Sequence, residues 1–503
     1  MEEAGMSKQK VVIIGSGLGG LSCGLILSKN GYDVTVLEQG TQVGGCLQCF
    51  TRQGVKFETG MHFIGSADEG QVLNRLLRYL GVLDDVRLKR LDVNGYDVVS
   101  LDGQQFRFAN GKEAFIETLA NHFPRERDHL FRYFDLVEQV ASASSLHTLR
   151  VADTDTSPLS TEFQLRSMNE VINEVIDDEL LRNVLVGNLP LYAAEYDKTP
   201  FSTHAFITDF YNQSAFRVVG GSDGIAHSLV KSIQENGGQV LCRQQVRKIV
   251  CDDTKAIGVE TDRFYPADIV ISGIHPGRLI ELCDSPILRP AYRRRIADLP
   301  ETVGGFSVYL RFKPESIPYM NYNFYGYRQK TPWNCELYTE EDWPKGYLYM
   351  HFCNQEHQRW AEGGVILSYM RFSDVAQWQG THVGRRGDDY KEMKKRKAEL
   401  LIEAVCRDFP HLRDAIAGYE TSTPLTYLDY TGTEGGSMYG VAKDINLGPA
   451  SRVHHRTKIP NLLLTGQNIN SHGILGVLVG TVVTCSELLT SEYIFQDIIN
   501  ANK

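Results

Sequence analysis

The 503-residue sequence predicts an α/β protein, with a discontinuous Rossmann-type domain that binds a dinucleotide and an inserted α+β domain built on a mixed sheet. Three observations predict this fold. A buried strand enters a glycine-rich turn at residues 10–20, a second strand ends at Glu38, and a late strand and glycine-spaced helix occupy residues 461–489. The nucleotide-binding domain is therefore expected to use both ends of the sequence.

The first motif reads KVVIIGSGLGGLSCGLILSK and starts at residue 10. Its uninterrupted apolar run, residues 11–14, is typical of a strand that is buried on both faces. Gly15, Gly17 and Gly20 have the spacing at which the first glycine permits a turn, the second admits a pyrophosphate and the third lets helix pack on strand. The predicted helix begins at Leu18, and its free N–H groups would point at the pyrophosphate.

A second strand, Tyr32–Leu37, is predicted to lead into Glu38, where a carboxylate can accept hydrogen bonds from both hydroxyls of a ribose. Glu38 would repel a 2′-phosphate, so the site favours FAD or NAD over NADP. Gln39 follows, and the glycine pair Gly44 and Gly45 offers a further close approach of backbone to a long cofactor.

The late segment NLLLTGQ is predicted to be a strand that runs into Gly466 and Gln467. A glycine-spaced helix start with Gly476 and Val477 follows, before the helical sequence TVVTCSELL. A parallel sheet that binds a dinucleotide needs such a closing strand and helix N-terminus. These residues are therefore expected to complete a flavin site.

The middle of the chain is predicted to return to the nucleotide-binding domain. The sequence VVGGSDG precedes a predicted helix, Ile225–Asn236, and a strand over residues 239–246 that ends at Val246. A hairpin with its turn at residues 252–255 and a buried strand, Tyr265–Ser272, follow. The predicted division is a nucleotide-binding domain of residues 1–65, 216–290 and 424–503, and a substrate domain of residues 66–215 and 291–423.

Composition excludes several classes of function. The net charge of −10 argues against nucleic-acid binding, because proteins that bind polyanions usually carry a basic excess. No apolar run is long enough for a transmembrane helix, and the N-terminal MEEAGMSKQK has no apolar signal core, so a cytoplasmic protein is expected. Most of the ten cysteines lie far apart, which predicts neither a disulfide framework nor a metal site.

The order of these segments resembles the flavin amine oxidase and phytoene desaturase superfamily, and within it the branch of retinol saturases and carotenoid isomerases. The matching segments span nearly the whole chain: GSGLGG with VLEQ, GGCLQCF with FETGMHFIG, FSTHA, VVGGSDGIAHSLV, GRRGDDY, TPLT, GGSMYG and LTGQNINSHGILGVLVGT. GRRGDDY, TPLT and the MYG before the final LTGQ favour the retinol saturase side of that branch.

The resemblance implies a glutathione-reductase-like FAD domain that holds FAD non-covalently, with an apolar polyene, a retinoid or carotenoid, beside the flavin. It also implies an oxidoreductase that saturates, desaturates or isomerises carbon–carbon double bonds, with reduction of all-trans-retinol to 13,14-dihydroretinol as the first expectation. Beside the residues named above, the segments that match the family place Cys46, Met61, His62 and Val246 at the cofactor.

Cys46 and Cys49, in the sequence GGCLQC, allow two interpretations. In the first, Cys46 lines the cofactor and Cys49 packs behind it. In the second, the pair is the redox centre of a flavin disulfide reductase. Such a reductase is expected to space its cysteines more widely and to carry a second complete G-x-G-x-x-G motif, which residues 220–224 do not supply.

Reduction of a double bond needs a hydride from reduced flavin and a proton for the neighbouring carbon. The candidate acids, or residues that polarise the polyene, are His62, Tyr427, Tyr430, Glu434 and Tyr439. His62 is the first choice because ETGMHFIG should run under the flavin. The alternative is that these side chains only satisfy packing and backbone hydrogen bonds.

Two further segments each allow two interpretations, and the sequence does not identify the electron donor. The aromatic residues at 319–327 and 347–352 predict strands of a half-buried sheet, or less simply the lining of a polyene tunnel. The basic cluster at residues 391–397 predicts a solvated helix face, or a contact with an anionic membrane surface. The sequence contains no second nucleotide-binding fold, so NAD(P)H, if it is the electron donor, would have to bind transiently. Besides the double-bond oxidoreductase and the disulfide reductase, a lipid carrier without flavin is a third class of function.

Overall fold

The computed structural model describes residues 8–144, 149, 162–469 and 471–503. Most of the N-terminal segment on which the expectation of no signal sequence rests, residues 1–7, lies outside the described residues. Within the described ranges, no helix is both long and apolar enough to cross a membrane.

The structure contains twenty strands and fifteen α-helices in the described ranges. The strands are β1 (Lys10–Ile14), β2 (Asp33–Leu37), β3 (Cys49–Arg52), β4 (Val55–Glu58), β5 (Ile64–Gly65), β6 (Leu88–Arg90), β7 (Asp97–Leu101), β8 (Gln104–Phe108), β9 (Ala215–Val218), β10 (Gln239–Leu241), β11 (Lys248–Cys251), β12 (Ala256–Glu260), β13 (Phe264–Pro266), β14 (Ile269–Ser272), β15 (Gly304–Phe312), β16 (Asn323–Tyr327), β17 (Gly346–His351), β18 (Gly363–Met370), β19 (Ile416–Ser422) and β20 (Leu462–Leu464). The helices are α1 (Leu18–Lys29), α2 (Val72–Tyr79), α3 (Lys112–Ala120), α4 (Arg127–Ser142), α5 (Met168–Val175), α6 (Glu179–Leu185), α7 (Phe201–Gln213), α8 (Asp223–Glu235), α9 (Pro276–Leu282), α10 (Pro290–Ala297), α11 (Asp388–Asp408), α12 (Leu412–Ala415), α13 (Pro424–Thr431), α14 (Gly473–Leu489) and α15 (Ser491–Ala501).

A five-stranded parallel sheet forms the nucleotide-binding part of the fold, in the order β10-β2-β1-β14-β20. Helix α1 follows β1 directly and packs against α8 and α14. The strand, glycine turn, helix and second strand predicted from the sequence are confirmed, as is the contribution of the late strand β20. The continuous apolar run of β1 is explained by its central position, because strands pair on both of its edges and residues 11–14 are all buried.

Two predicted strands of the middle segment are wrong in their extent. The strand predicted over residues 239–246 ends at Leu241, and Val246 lies in an extended connection before β11. The strand predicted over Tyr265–Ser272 is two strands in different sheets. β13 completes an antiparallel sheet with the β11–β12 hairpin, and β14 joins the parallel sheet after Ala267 and Asp268 carry the chain across.

A seven-stranded mixed sheet, in the order β19-β15-β18-β17-β16-β7-β8, forms the second layer. Its pairs are antiparallel except for β7 with β16. The aromatic strands β16 and β17 were predicted to be half-buried, and this is wrong because both are buried along their whole length. Helix α11 covers one face of this sheet, and a core that includes α3, α4 and α7 covers the other. The predicted domain boundaries stay a prediction.

The mixed sheet carries a buried carboxyl group between β7 and β16. Asp97 is fully buried at the start of β7, where Oδ1 accepts a hydrogen bond of 2.8 Å from Nδ2 of Asn323 on β16. Asn323 in turn accepts a 2.9 Å hydrogen bond from the buried guanidinium of Arg217. Burial raises the pKa of Asp97 to about 7, while hydrogen bonds from Asn323 and Asn188 and the charge of Arg217 act in the opposite direction.

The Asp97 pKa predicts a specific pH dependence of stability. The unfolded-state pKa is about 3.9, so the folded protein holds one more proton than the unfolded chain between there and about 7, and its free energy of unfolding falls as pH rises through that window. Asp97→Asn has no proton to lose. We expect the stability of wild type relative to Asp97→Asn, measured by urea unfolding, to fall by about 1.4 kcal/mol per pH unit within the window. Parallel stability profiles for the two proteins would contradict this.

Candidate active site

A cavity of about 510 Å³ lies at the carboxyl ends of the parallel strands. Gly15 follows β1, Gly273 follows β14 and Gly466 lies just beyond β20, and all three line it. The same cavity extends to the mixed sheet, where Leu348 and Leu367 contribute from β17 and β18. Ligands bind at this edge of open parallel sheets because helix N-termini and loops meet there.

The turn after β1 forms a cradle of bare backbone. Gly15 has a φ of +92°, and a Cβ at Gly20 would lie 2.1 Å from the carbonyl oxygen of Gly15. A Cβ at Gly17 would meet no protein atom within 4 Å, although Gly17 lines the cavity. Because no side chain caps the N-terminus of α1, its first N–H groups are available to an anion.

Glu38 is buried beside this cradle. Its Oε2 accepts hydrogen bonds from the backbone N–H and the hydroxyl of Ser16, at 3.0 and 2.6 Å, and its Oε1 accepts one of 2.7 Å from the N–H of Gly40. These bonds fix the carboxylate at the cavity wall, in the position that an acidic group takes beside a ribose.

The other predicted cofactor residues surround the same cavity with two exceptions. The cavity is lined by Gly15, Gly17, Leu18, Glu38, Gln39, Gly44, Gly45, Cys46, Met61, His62, Val246, Gly466, Gln467 and Val477. Gly20 and Gly476 do not line it. They serve backbone packing instead, since a Cβ at Gly476 would lie 2.6 Å from Ser471, as one at Gly20 would crowd Gly15. The assignment of these residues to a cofactor stays a prediction.

His62 lies where the cavity leaves the nucleotide cradle. Its side chain is 9% exposed, and Nδ1 lies 3.6 Å from Oε2 of the buried Glu58 with no hydrogen-bond partner of its own. Burial raises the pKa of Glu58, against the opposing effect of His62 and Arg217. The carbonyl oxygen of His62 accepts a 3.4 Å hydrogen bond from Arg217, which fixes the backbone at this point.

The two cysteines of GGCLQC have different surroundings in the structure. Cys46 lines the cavity, whereas Cys49 is buried with its Sγ 3.6 Å from the Oγ of Ser222. Both are free thiols. Burial raises the pKa of Cys46 to about 11 and that of Cys49 to about 12, so both are protonated at neutral pH, and neither is the thiolate that a disulfide reductase needs.

The remaining candidate acids differ in position. Tyr427 and Tyr439 line the cavity, burial raises the pKa of both, and the hydroxyl of Tyr439 donates a 2.8 Å hydrogen bond to the carbonyl oxygen of Pro190. Tyr430 lines the cavity but is 57% exposed. Glu434 is exposed and does not line the cavity, so the structure does not bring it together with the other candidates.

Sequence reasoning missed several lining residues. His275 follows β14 and lines the cavity, and its Nε2 lies 2.9 Å from Oε1 of Glu301. Its position after a buried strand was a usable signal. Phe63 also lines the cavity, and its place beside His62 in a segment that matches the family was a usable signal as well. Pro190 and Leu191 line it too, and ordinary apolar residues outside any motif give no such signal.

The comparison with protein families identifies the class. Residues 18–480 match the model for flavin containing amine oxidoreductases, and the chain belongs to this family. Membership of this family supports a flavin cofactor, and the cradle at Gly17 and the carboxylate at Glu38 have the chemistry that fits the pyrophosphate and ribose of FAD.

The chain is also similar to individual proteins and to solved structures. The chain is 28% identical to the all-trans-retinol 13,14-reductase of Rattus norvegicus, over 98% of this chain and 87% of that protein. It is 23% identical to prolycopene isomerase 2 of an Oncidium hybrid cultivar, over 99% and 86% of the two chains. An oxidoreductase structure from Methanosarcina mazei matches with a TM-score of 0.63 at 18% identity, covering 95% of this chain and 100% of that one, which supports the fold alone.

Two glycine substitutions should separate cofactor binding from folding. A methyl group at Gly17 meets no protein atom but occupies the space that a pyrophosphate needs, whereas one at Gly20 collides with the turn itself. We expect Gly17→Ala to lose most of its bound flavin, measured by absorbance after purification, while the flavin-free protein keeps its melting temperature. Gly20→Ala should lower both. If Gly17→Ala keeps its full flavin content, the turn after β1 is not the pyrophosphate site.

Proposed function

We propose that this protein is an FAD-dependent oxidoreductase that reduces a carbon–carbon double bond of an apolar polyene, and that all-trans-retinol, converted to 13,14-dihydroretinol, is its substrate. The observation that carries the proposal is the cavity, which continues from the glycine cradle into an apolar chamber between Leu348, Leu367 and Met438. The similarity to all-trans-retinol 13,14-reductases over nearly the whole chain supports the choice of substrate.

FAD, held non-covalently and reduced by the electron donor, would supply the hydride for this chemistry. The chain positions the polyene and excludes water. Leu348 and Leu367 are opposite each other on β17 and β18, and their side chains form an apolar floor for a flat, conjugated chain. Burial of these residues keeps solvent from the reacting carbons.

His62 is the proposed acid. It lines the cavity, and its Nδ1 faces Glu58 at 3.6 Å. The imidazole is a proton donor at the cavity wall in this proposal, and the buried carboxyl group of Glu58 is its nearest charged neighbour. Tyr439 is the second choice, because its hydroxyl is already donated to Pro190.

The proposal also includes an electron donor and a cellular compartment. NAD(P)H is proposed as a transient donor in a cytoplasmic protein that contacts a membrane only to collect its substrate. The basic cluster at residues 391–397 gives little support for that contact. Lys397 is 2% exposed and bonded to Glu340, and Lys391 is paired with Asp388, as expected for an ordinary helix face.

Isomerisation of a carotenoid is the second candidate, favoured by the similarity to prolycopene isomerases. Both reactions use a polyene beside a flavin, but isomerisation leaves the mass of the substrate unchanged. Product mass therefore distinguishes the two candidates.

An anaerobic incubation of the flavin-loaded protein with all-trans-retinol and a reductant tests the proposal. We expect a product that is heavier by two hydrogens in chromatography with mass detection. His62→Gln should keep its flavin and lower the rate about 100-fold or more, because a positioned acid contributes at least this much. Unreduced retinol with a fully loaded protein would reject the substrate, and an unchanged rate in His62→Gln would reject the acid.

Cys49→Ser separates this proposal from a disulfide reductase. The thiol of Cys49 is buried and protonated, and its nearest polar neighbour is a serine hydroxyl, so we expect the variant to keep both flavin and double-bond reduction within about twofold. If Cys49→Ser keeps its flavin but no longer reduces the double bond, the cysteine pair takes part in the reaction and this prediction is wrong.

A further inference from the structure

A second, much smaller cavity adjoins the inner end of the large one. Its volume is about 10 Å³, which is room for about one water-sized group. Pro190 and Leu367 line both cavities, so these two side chains form the partition between them. Tyr369 lies two residues beyond Leu367 on β18 and lines the small cavity, on the same face of the sheet.

The hydroxyl of Tyr369 is buried and has no hydrogen-bond partner among the described residues, and Tyr369 is only 6% exposed. The other polar side chains around the small cavity are already bonded. Tyr327 donates to the carbonyl oxygen of Gly187 at 2.7 Å, Ser368 donates to that of Gly346 at 2.7 Å, and Tyr347 donates to Asp408 at 2.5 Å. A buried hydroxyl without a partner is unfavourable, so it marks a place where a ligand can supply the missing bond.

We propose that the small cavity binds the terminal oxygen of the substrate and that Tyr369 determines specificity for it. This inference rests on the proposed function and names the substrate class within it. In this proposal the apolar chain of the substrate lies over Leu348 and Leu367, and its polar end passes between Pro190 and Leu367. The terminal oxygen of the substrate then forms a hydrogen bond with the hydroxyl of Tyr369.

Size and charge define the class of end group. The small cavity accommodates one oxygen rather than the two of a carboxylate. Among the described residues that line it, none is lysine, arginine or histidine, so a carboxylate would be buried without a counter-charge. A hydrocarbon end would leave Tyr369 unpartnered, and sites built around a hydrogen bond reject analogues that lack it. A polyene alcohol or aldehyde therefore fits, in preference to a polyene acid or a hydrocarbon carotene.

Tyr369→Phe removes only the hydroxyl, and Tyr325→Phe is the matched control. Tyr325 is fully buried on β16, and its hydroxyl also has no partner, but it lines neither cavity. Binding of all-trans-retinol, and of the hydrocarbon analogue that lacks its hydroxyl, would be measured anaerobically from the change in flavin absorbance of each loaded protein. The flavin content of each variant reports whether it is folded.

We expect Tyr369→Phe to weaken the binding of retinol by about 3- to 10-fold, the loss of one hydrogen bond, and to leave the binding of the hydrocarbon unchanged. Tyr325→Phe should bind both ligands as the wild type does. An unchanged preference for retinol in Tyr369→Phe, or an equal loss for both ligands, would overturn the end-group site and leave the proposed function standing. A loaded wild-type protein that binds neither ligand would overturn the proposed function and this inference with it.

Discussion

The guanidinium of Arg217 is buried where three parts of the molecule meet, and the position of the candidate acid depends on it. From β9 it donates hydrogen bonds to the carbonyl oxygens of His62 and Tyr322 and to the side chain of Asn323. A charge in such a place costs several kcal/mol of desolvation unless its surroundings compensate it. Its hydrogen bonds to these three oxygens offset part of that cost, and they hold the segment that carries His62 against the mixed sheet that forms the chamber floor.

The two halves of the cavity have opposite physical characters because they are built from different groups. The cradle is made of glycine backbone and helix N–H groups, which suit an anion. The chamber is made of leucine, methionine and tyrosine side chains, which suit a conjugated hydrocarbon. His62 lines the cavity, and Glu58 lies behind it; both are buried.

The cradle could be predicted from the sequence because its parts are local. Glycine spacing, a buried strand and a following acid occupy consecutive positions from Gly15 to Glu38, and each has its own physical reason. Most of the chamber could not be predicted, because Pro190, Leu191 and Leu367 come from distant segments and are ordinary residue types. The strand over Tyr265–Ser272 was wrong for a similar reason: an apolar run shows burial, but not that its two halves enter different sheets. The exclusion of Glu434 likewise follows from the path of the chain rather than from its residue type.

The parallel sheet has a consequence for synthesis of the protein. β1, β2 and α1 leave the ribosome first, but their sheet is incomplete until β20 and α14 have been made, more than 400 residues later. Until then the edge of β14 that pairs with β20, and the side of α1 that packs on α14, lack these partners. A cofactor that contacts both the turn after β1 and Gly466 would therefore find its complete site only after the late elements have joined the sheet, and its binding would stabilise the early and late segments together.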